Sequence, residues 1–154
     1  MSHGAPGRRA ALAAGLALWA GSAAAGTLLV EGADGPLLSL SAPEGAEWCL
    51  RWNHSVTGGP VADCFVNSKG RMVLDHSYLH DYAAGLGDVP GRGRVHAAAG
   101  GGYEIDDIDE PVPDNALVLR VGRPSVDHRL EIGGETFDLS ALAANRRVTL
   151  RLVP

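Results

Sequence analysis

The residues best suited to chemistry are concentrated in residues 47–65. This stretch holds both cysteines of the chain, two tryptophans, a His-Ser pair and an aspartate around a Gly-Gly-Pro turn signal. Trp52, His54, Ser55 and Asp63 combine an apolar wall with a few polar groups, which is the make-up of a cleft for a small solute. We therefore expect these four residues to form a candidate binding or structural cluster.

The cluster has a structural interpretation beside the solute-binding one. His54 ends an apolar alternation that begins at Trp48, so it is equally well explained as a hydrogen-bonded rim residue. In that case Asp63 accepts a hydrogen bond from His54 across the hairpin and fixes its tautomer. In the solute-binding version, Gly85 of a glycine-rich segment closes the cleft. We expect His54→Ala to be more harmful than His128→Ala because His54 lies in the central hairpin.

A hydrolase is the least favoured function for this combination of serine, histidine and aspartate. Ser55 directly follows His54, so on a strand the two side chains point to opposite faces. A nucleophile must lie within hydrogen-bond reach of its base, and no Gly-x-Ser-x-Gly elbow is present to expose Ser55. We expect no catalytic residues and no cofactor.

Cys49 and Cys64 are expected to form a disulfide, because two cysteines in an exported protein usually pair. A hairpin centred tightly on Gly58-Gly59 would place Cys64 nearer to Asn53 than to Cys49, so pairing requires a bulge or a longer loop. Two separate buried thiols or a metal-binding pair are the alternatives. The spacing does not favour a metal, since no CxxC motif is present.

Two further groups of side chains are possible metal ligands. His76 and His80 share a face on a helix or a strand, but zinc would need a third ligand that the sequence does not mark. The acidic segment could in principle bind calcium but lacks the EF-hand spacing; it contains Asp106, Asp107, Asp109 and Glu110. A polar strand face and a solvated acidic loop are the simpler interpretations, and we expect no metal site.

Residues 1–25 are typical of a secretory signal peptide. Arg8 and Arg9 precede an apolar run over residues 10–20, which is too short for a membrane span of roughly 20 residues. Small residues follow, and we expect cleavage after residue 25. An uncleaved anchor is the alternative. The prediction is an exported, periplasmic protein with a single β domain over residues 26–154 and no membrane span after cleavage.

Composition favours many short strands. The chain has 154 residues, 45% hydrophobic and 20% charged, so it can bury a core. Its 21 glycines and 9 prolines favour frequent turns, and no long segment outside residues 1–25 shows helical periodicity. The net charge of -5, without a basic run, argues against nucleic acid as a partner. The expected fold is all-β, a β-sandwich or open barrel of short, mostly antiparallel strands.

Alternation and turn signals place the individual elements. Strands are expected over residues 27–31, 37–41, 46–56, 61–67, 71–81, 95–99, 116–121, 127–132, 135–139 and 148–153. Turns are expected at Ser68-Lys69-Gly70 and at Gly133-Gly134. A single helical turn over residues 140–145 is expected to be capped by Ser140.

The central stretch resembles the His-Ser-Val motif of a small family of exported bacterial proteins of unknown function. The residues that carry the resemblance are Trp52-Asn-His54-Ser55-Val56, Pro60, Asp63-Cys-Phe65 and Ala83-Ala84-Gly85-Leu86. The likeness runs over most of the chain from Ala46 onward, with Asp63 in place of the family's usual Glu and Ala83 in place of a Gly.

Family members are commonly encoded beside TRAP-type transporters of the TAXI class. The resemblance therefore implies a periplasmic accessory or small-solute-binding module, with transporter subunits or a small solute as partners. The alternative is a structural or interaction domain that docks a partner by its strand edges.

Overall fold

A computed structural model describes residues 26–82 and 90–154, together with Met1. The expected signal peptide and Gly85 lie outside the described residues. Twelve strands and one short α-helix occur in the described part. They are β1 Thr27–Gly32, β2 Gly35–Ser41, β3 Glu47–Asn53, β4 Pro60–Ser68, β5 Arg71–Leu79, β6 Arg94–Ala97, β7 Tyr103–Asp106, β8 Glu110–Pro111, β9 Ala116–Arg120, β10 Arg129–Ile132, β11 Glu135–Asp138, α1 Leu139–Ala143 and β12 Arg147–Val153.

The strands form two antiparallel sheets, which confirms the expected all-β class. The smaller sheet has the order β2-β1-β12-β9. The larger sheet has the order β11-β10-β3-β4-β5-β7-β6, and β8 pairs with β5. Every pairing in both sheets is antiparallel.

One hydrophobic core is shared by the two sheets. Alternate side chains of β1 and β12 are buried, as the period of two requires, and they enter the same cluster as Trp48 and Leu50 of β3. Leu28, Leu130 and Leu150 have no exposed surface. The packing of the two inner faces holds β3 and β10 in place, and these strands lead into the candidate site.

The β3–β4 hairpin is built differently from the expectation. Cys49 pairs with Cys64 and Asn53 with Pro60. The ladder therefore ends at Asn53, not at residue 56, and the connection is a loop over residues 54–59. The expected strand end at residue 56 was wrong, whereas the longer loop that pairing of the cysteines requires is present and brings Cys49 and Cys64 directly opposite each other. Their disulfide is confirmed, with Cα atoms 4.0 Å apart.

The two-residue turns are where the sequence placed them. Lys69 and Gly70 connect β4 to β5 with φ of 54 and 77, and Gly133 and Gly134 connect β10 to β11 with φ of 59 and 81. Both central residues of each turn are left-handed, the conformation that tight hairpins require and that glycine adopts without strain. β5 ends at Leu79, short of the expected residue 81.

The helical turn begins one residue earlier than expected and has a different cap. Asp138 accepts a hydrogen bond from the Ala141 amide at 2.8 Å, so it is the N-cap of α1. Ser140 lies inside the helix, and its hydroxyl accepts from the His128 amide instead. A five-residue helix is far below the length that crosses a bilayer, and no helix among the described residues is long and apolar enough to do so.

Candidate functional site

The loop over residues 54–59 is closed by its own hydrogen bonds. The His54 amide donates to the Gly59 carbonyl, and the Gly58 amide donates to the His54 carbonyl, both at 2.8 Å. The Thr57 amide donates to Nδ1 of His54 at 3.2 Å. Because Nδ1 is an acceptor, the neutral His54 ring carries its proton on Nε2. The loop therefore fixes both the position and the tautomer of His54.

Gly59 allows this loop to pack closely on the neighbouring strand end. A Cβ atom at residue 59 would lie 2.7 Å from Cδ2 of His80 and 2.9 Å from its Cβ. No side chain fits at that distance, so the glycine is required by the approach of the two segments. His80 thus packs against the loop, while His76 contacts Asp75 through its Nδ1 at 2.9 Å.

His128 is the most firmly held polar residue beside this loop. It is 6% exposed and its ring stacks on Trp52, with centroids 5.9 Å apart and planes 11° apart. Its amide donates to the Ser140 hydroxyl at 2.9 Å, and its Nδ1 accepts from the Gly122 amide at 3.2 Å. Burial lowers the pKa of His128, and the Asp127 carboxylate raises it by less. The ring is therefore neutral near pH 7, with its proton on Nε2.

These rings line an open cleft of about 520 Å³ between the 54–59 loop and the segment that follows β9. Its lining residues are Trp52, His54, Ser55, Arg120, Gly122, Arg123, Val126, His128 and Asn145. A smaller cleft of about 330 Å³ adjoins it on the other side of the loop and shares His54, Ser55, Arg123 and Val126 with it. Volumes of this order accommodate a small organic ligand.

The structure brings together three of the five residues that the sequence singled out. Trp52, His54 and Ser55 lie on the cleft. Asp63 does not, because it pairs in register with Leu50 and its carboxylate accepts from the Ser77 hydroxyl at 2.6 Å. The expected hydrogen bond from His54 to Asp63 is therefore wrong: Thr57, not Asp63, is the partner of His54.

Asp63 lies on β4 of the larger sheet, away from the residues that line the cleft. Burial raises the pKa of its carboxyl group, whereas the hydrogen bond from Ser77 and the positive charge of Arg92 lower it by smaller amounts. Ser77 is 1% exposed, so its hydroxyl depends on Asp63 as a partner in place of water. The half-buried Asp63 carboxyl group serves this contact and does not contribute to the cleft.

The side chains that would form a catalytic triad are not arranged as one. His54 and Ser55 lie in a loop, so the opposite-face argument for a strand does not apply to them. The Nδ1 atom of His54 is occupied by Thr57, where a triad would place the orienting carboxylate. Asp63 is engaged with Ser77.

The acidic segment is held largely by ion pairs. Asp106 contacts Nε2 of His96 at 2.6 Å, Glu110 contacts Arg92 at 2.8 Å, and Asp107 pairs with Arg94. The hydrogen bond with Asp106 is the main cause of a raised His96 pKa. His96, Glu104 and Asp106 have ligand atoms within 4.8 Å of one another, but all three are solvent-accessible on the β6–β7 hairpin. Salt bridging explains the group without a metal ion.

Sequence reasoning missed Arg120, Arg123, His128 and Asn145, which complete the cleft. The available signal was the pair Arg120 and Arg123 on either side of Gly122, at the end of the strand expected over residues 116–121. The expected ranking of His54→Ala above His128→Ala stays a prediction. The contacts favour the opposite order for stability, because His128 is buried and stacked whereas the hydrogen bonds of the His54 ring are exposed.

The fold and the cleft define a small disulfide-bonded all-β protein with a solvent-accessible polar cleft. A family model described as "Domain of unknown function (DUF1850)" matches residues 49–139. The match covers more than half of the 154-residue chain, and the chain belongs to this family. No curated protein and no solved structure matches the chain.

Proposed function

We propose that the chain is a periplasmic accessory or small-solute-binding module associated with a TRAP-type transporter of the TAXI class. The observation that carries the solute-binding part is the cleft of about 520 Å³ that contains Trp52, His54 and Ser55. It combines an aromatic wall, a fixed histidine and an available hydroxyl, which is the composition of sites that orient small molecules.

Periplasmic location is supported by two features. The Cys49–Cys64 disulfide suits an oxidising compartment. The leader-like composition of residues 1–25 provides a route out of the cytoplasm. Association with a transporter rests on the family resemblance at the His-Ser-Val motif, and the solute would then be one that the transporter carries.

A thermal-shift screen of the full chain, expressed with its own leader and purified from the periplasm, tests solute binding. A ligand at 100 times its Kd adds about 2.7 kcal/mol to the stability of the native state, which is a shift of several degrees. We expect small carboxylic acids to give such shifts and Ser55→Tyr, which fills the cleft, to abolish them. Ser68→Tyr is the matched control, because Ser68 is exposed at the far end of β4. A flat screen would contradict the solute-binding proposal.

Docking by strand edges is the second candidate function. β9 is an edge strand of the smaller sheet, and Val118 on it is 59% exposed. An exposed apolar residue on an open edge is suited to strand addition by a partner. Co-purification of the tagged chain from the periplasm distinguishes the two functions. Capture of a transporter subunit that is lost in Val118→Lys but retained in Ser55→Tyr would favour docking.

A further inference from the structure

The cleft beside the 54–59 loop has an unusual charge for this chain. The protein carries 18 acidic residues against 13 basic ones, yet the cleft lining contains two arginines, two histidines and no carboxylate. The charged side chains of the lining, Arg120 and Arg123, therefore have the sign opposite to the net charge of the chain.

The two arginines of the cleft are also uncommitted. The side chains of Arg120 and Arg123 are exposed, and their guanidinium groups make no hydrogen bond or ion pair with any described residue. Most other arginines in the described part do have an acidic or carbonyl partner, namely Arg51, Arg92, Arg94, Arg129, Arg146 and Arg151. A guanidinium group is a fork of donors that matches an oxyanion in charge and geometry.

The remaining polar groups of the cleft supply donors of the same kind. His54 and His128 each accept a hydrogen bond at Nδ1, which leaves the Nε2–H group of each ring as a donor. Asn145 adds an amide and Ser55 a hydroxyl. A ligand that satisfies this set must be rich in acceptors. A free ammonium group finds no carboxylate in the lining to pair with.

The apolar part of the lining limits the ligand further. Trp52 stacks with His128, and Val126, which is 8% exposed, contributes an aliphatic surface. An inorganic anion would leave these surfaces without a contact. The cleft suits a ligand with an apolar body and a charged head.

We propose that the cleft binds a small organic anion, with its oxyanion head held by Arg120 and Arg123 and its apolar body against Trp52 and Val126. This inference rests on the proposed solute-binding function and names the class of ligand. A carboxylate and a phosphonate share the required chemistry.

Calorimetric titration of the full chain with four probes tests the inference. The probes are benzoate, its neutral analogue benzamide, phenylphosphonate and inorganic phosphate. We expect benzoate or phenylphosphonate to bind at least about tenfold more tightly than benzamide, since a hydrogen bond to a charged group contributes at least that factor. The comparison of the two anions identifies the head group, and inorganic phosphate is expected to bind more weakly than the better of them.

Arginine variants identify where the anion binds. Arg120→Gln and Arg123→Gln are each expected to weaken binding about tenfold. Arg71→Gln is the matched control, because Arg71 is exposed, has no partner among the described residues and lies outside the cleft. It should change the affinity less than about twofold, since an exposed distant charge is largely screened.

The outcomes separate this inference from the solute-binding proposal. Equal binding of benzamide and benzoate, or unchanged affinity in both cleft variants, would overturn the anion inference while leaving a solute cleft in place. If inorganic phosphate binds more tightly than both benzoate and phenylphosphonate, the proposed contact of the ligand with Trp52 and Val126 is overturned. If all four probes and the whole thermal-shift screen give no binding, both proposals fail together.

Discussion

The loss of stability on removal of the Cys49–Cys64 disulfide follows from the length of the chain segment that the disulfide closes. The two cysteines are 15 residues apart in sequence. In the chain-entropy account, a cross-link that closes a loop of this length lowers the entropy of the unfolded chain enough to stabilise the fold by about 3 kcal/mol. The Cys49→Ser/Cys64→Ser variant should therefore lose about 3 kcal/mol, which corresponds to a fall in Tm of about 10 °C.

Urea unfolding of the oxidised protein, the reduced protein and the double variant provides the assay. The reduced protein and the variant should share one lower midpoint, and the reductant should leave the variant unchanged. Because the open chain exposes more surface, the urea m-value should also rise. A loss below about 1 kcal/mol would refute the entropic reasoning and would point to residual structure that already restricts the unfolded chain without the disulfide.

Three further predictions follow from single contacts. Asp63→Asn keeps an acceptor for the Ser77 hydroxyl but cannot ionise. In the wild-type protein the pKa of Asp63 is raised by folding, so the protonated carboxyl group contributes stability that is fully present below pH 3.8 and is lost as the pH rises through the folded pKa. Urea unfolding should therefore favour the variant over wild type more at pH 7 than at pH 3, and an equal difference at both pH values would contradict this. Asp138→Ala should cost about 1 kcal/mol by removing the cap of α1, while Asp138→Asn should cost less. His128→Ala should destabilise the protein by about 2 kcal/mol more than His54→Ala in the same assay, because only the first leaves a buried gap, and the reverse order would contradict the assignment.

Most strands and the tight turns were predictable because their signals are local. The acidic segment was expected to be a solvated loop, and this was wrong in part, because β7 and β8 lie within residues 103–111. The alternation in β12 depends only on which face is buried, and the left-handed residues at Gly133-Gly134 leave few alternatives to a hairpin. The disulfide was predictable from compartment chemistry. These features need no knowledge of distant residues.

The end of the β3–β4 hairpin was not predictable from its glycines. Gly58 and Gly59 resemble a two-residue turn, but Gly58 is left-handed at φ 71 while Gly59 is required for the approach to His80. Closure of the loop instead depends on the backbone pair between His54 and Gly59. A local turn signal cannot reveal which of two glycines serves a contact with another strand.

The composition of the cleft could be predicted only in part. Trp52, His54 and Ser55 lie within four residues of sequence and were found, whereas Arg123 and His128 are brought to the cleft by the fold. Asp63 was assigned to the wrong partner because its neighbour across the sheet, Ser77, lies on a third strand. Residues 47–65 alone give no signal for a partner such as Ser77, which lies outside them on β5.

The proposals all place a solute beside Trp52 and the 54–59 loop. NMR titration of the ¹⁵N-labelled full chain with benzoate, with phenylphosphonate and with each ligand found in the thermal-shift screen locates the bound solute, because the indole and backbone signals report on each site separately. We expect progressive, saturable shifts of the Trp52 indole signal and of the amides of the loop, with the buried Trp48 indole unchanged. Saturable shifts confined to Trp48 or to residues remote from the cleft would refute binding at this place, as would the absence of shifts with all of these ligands at millimolar concentration.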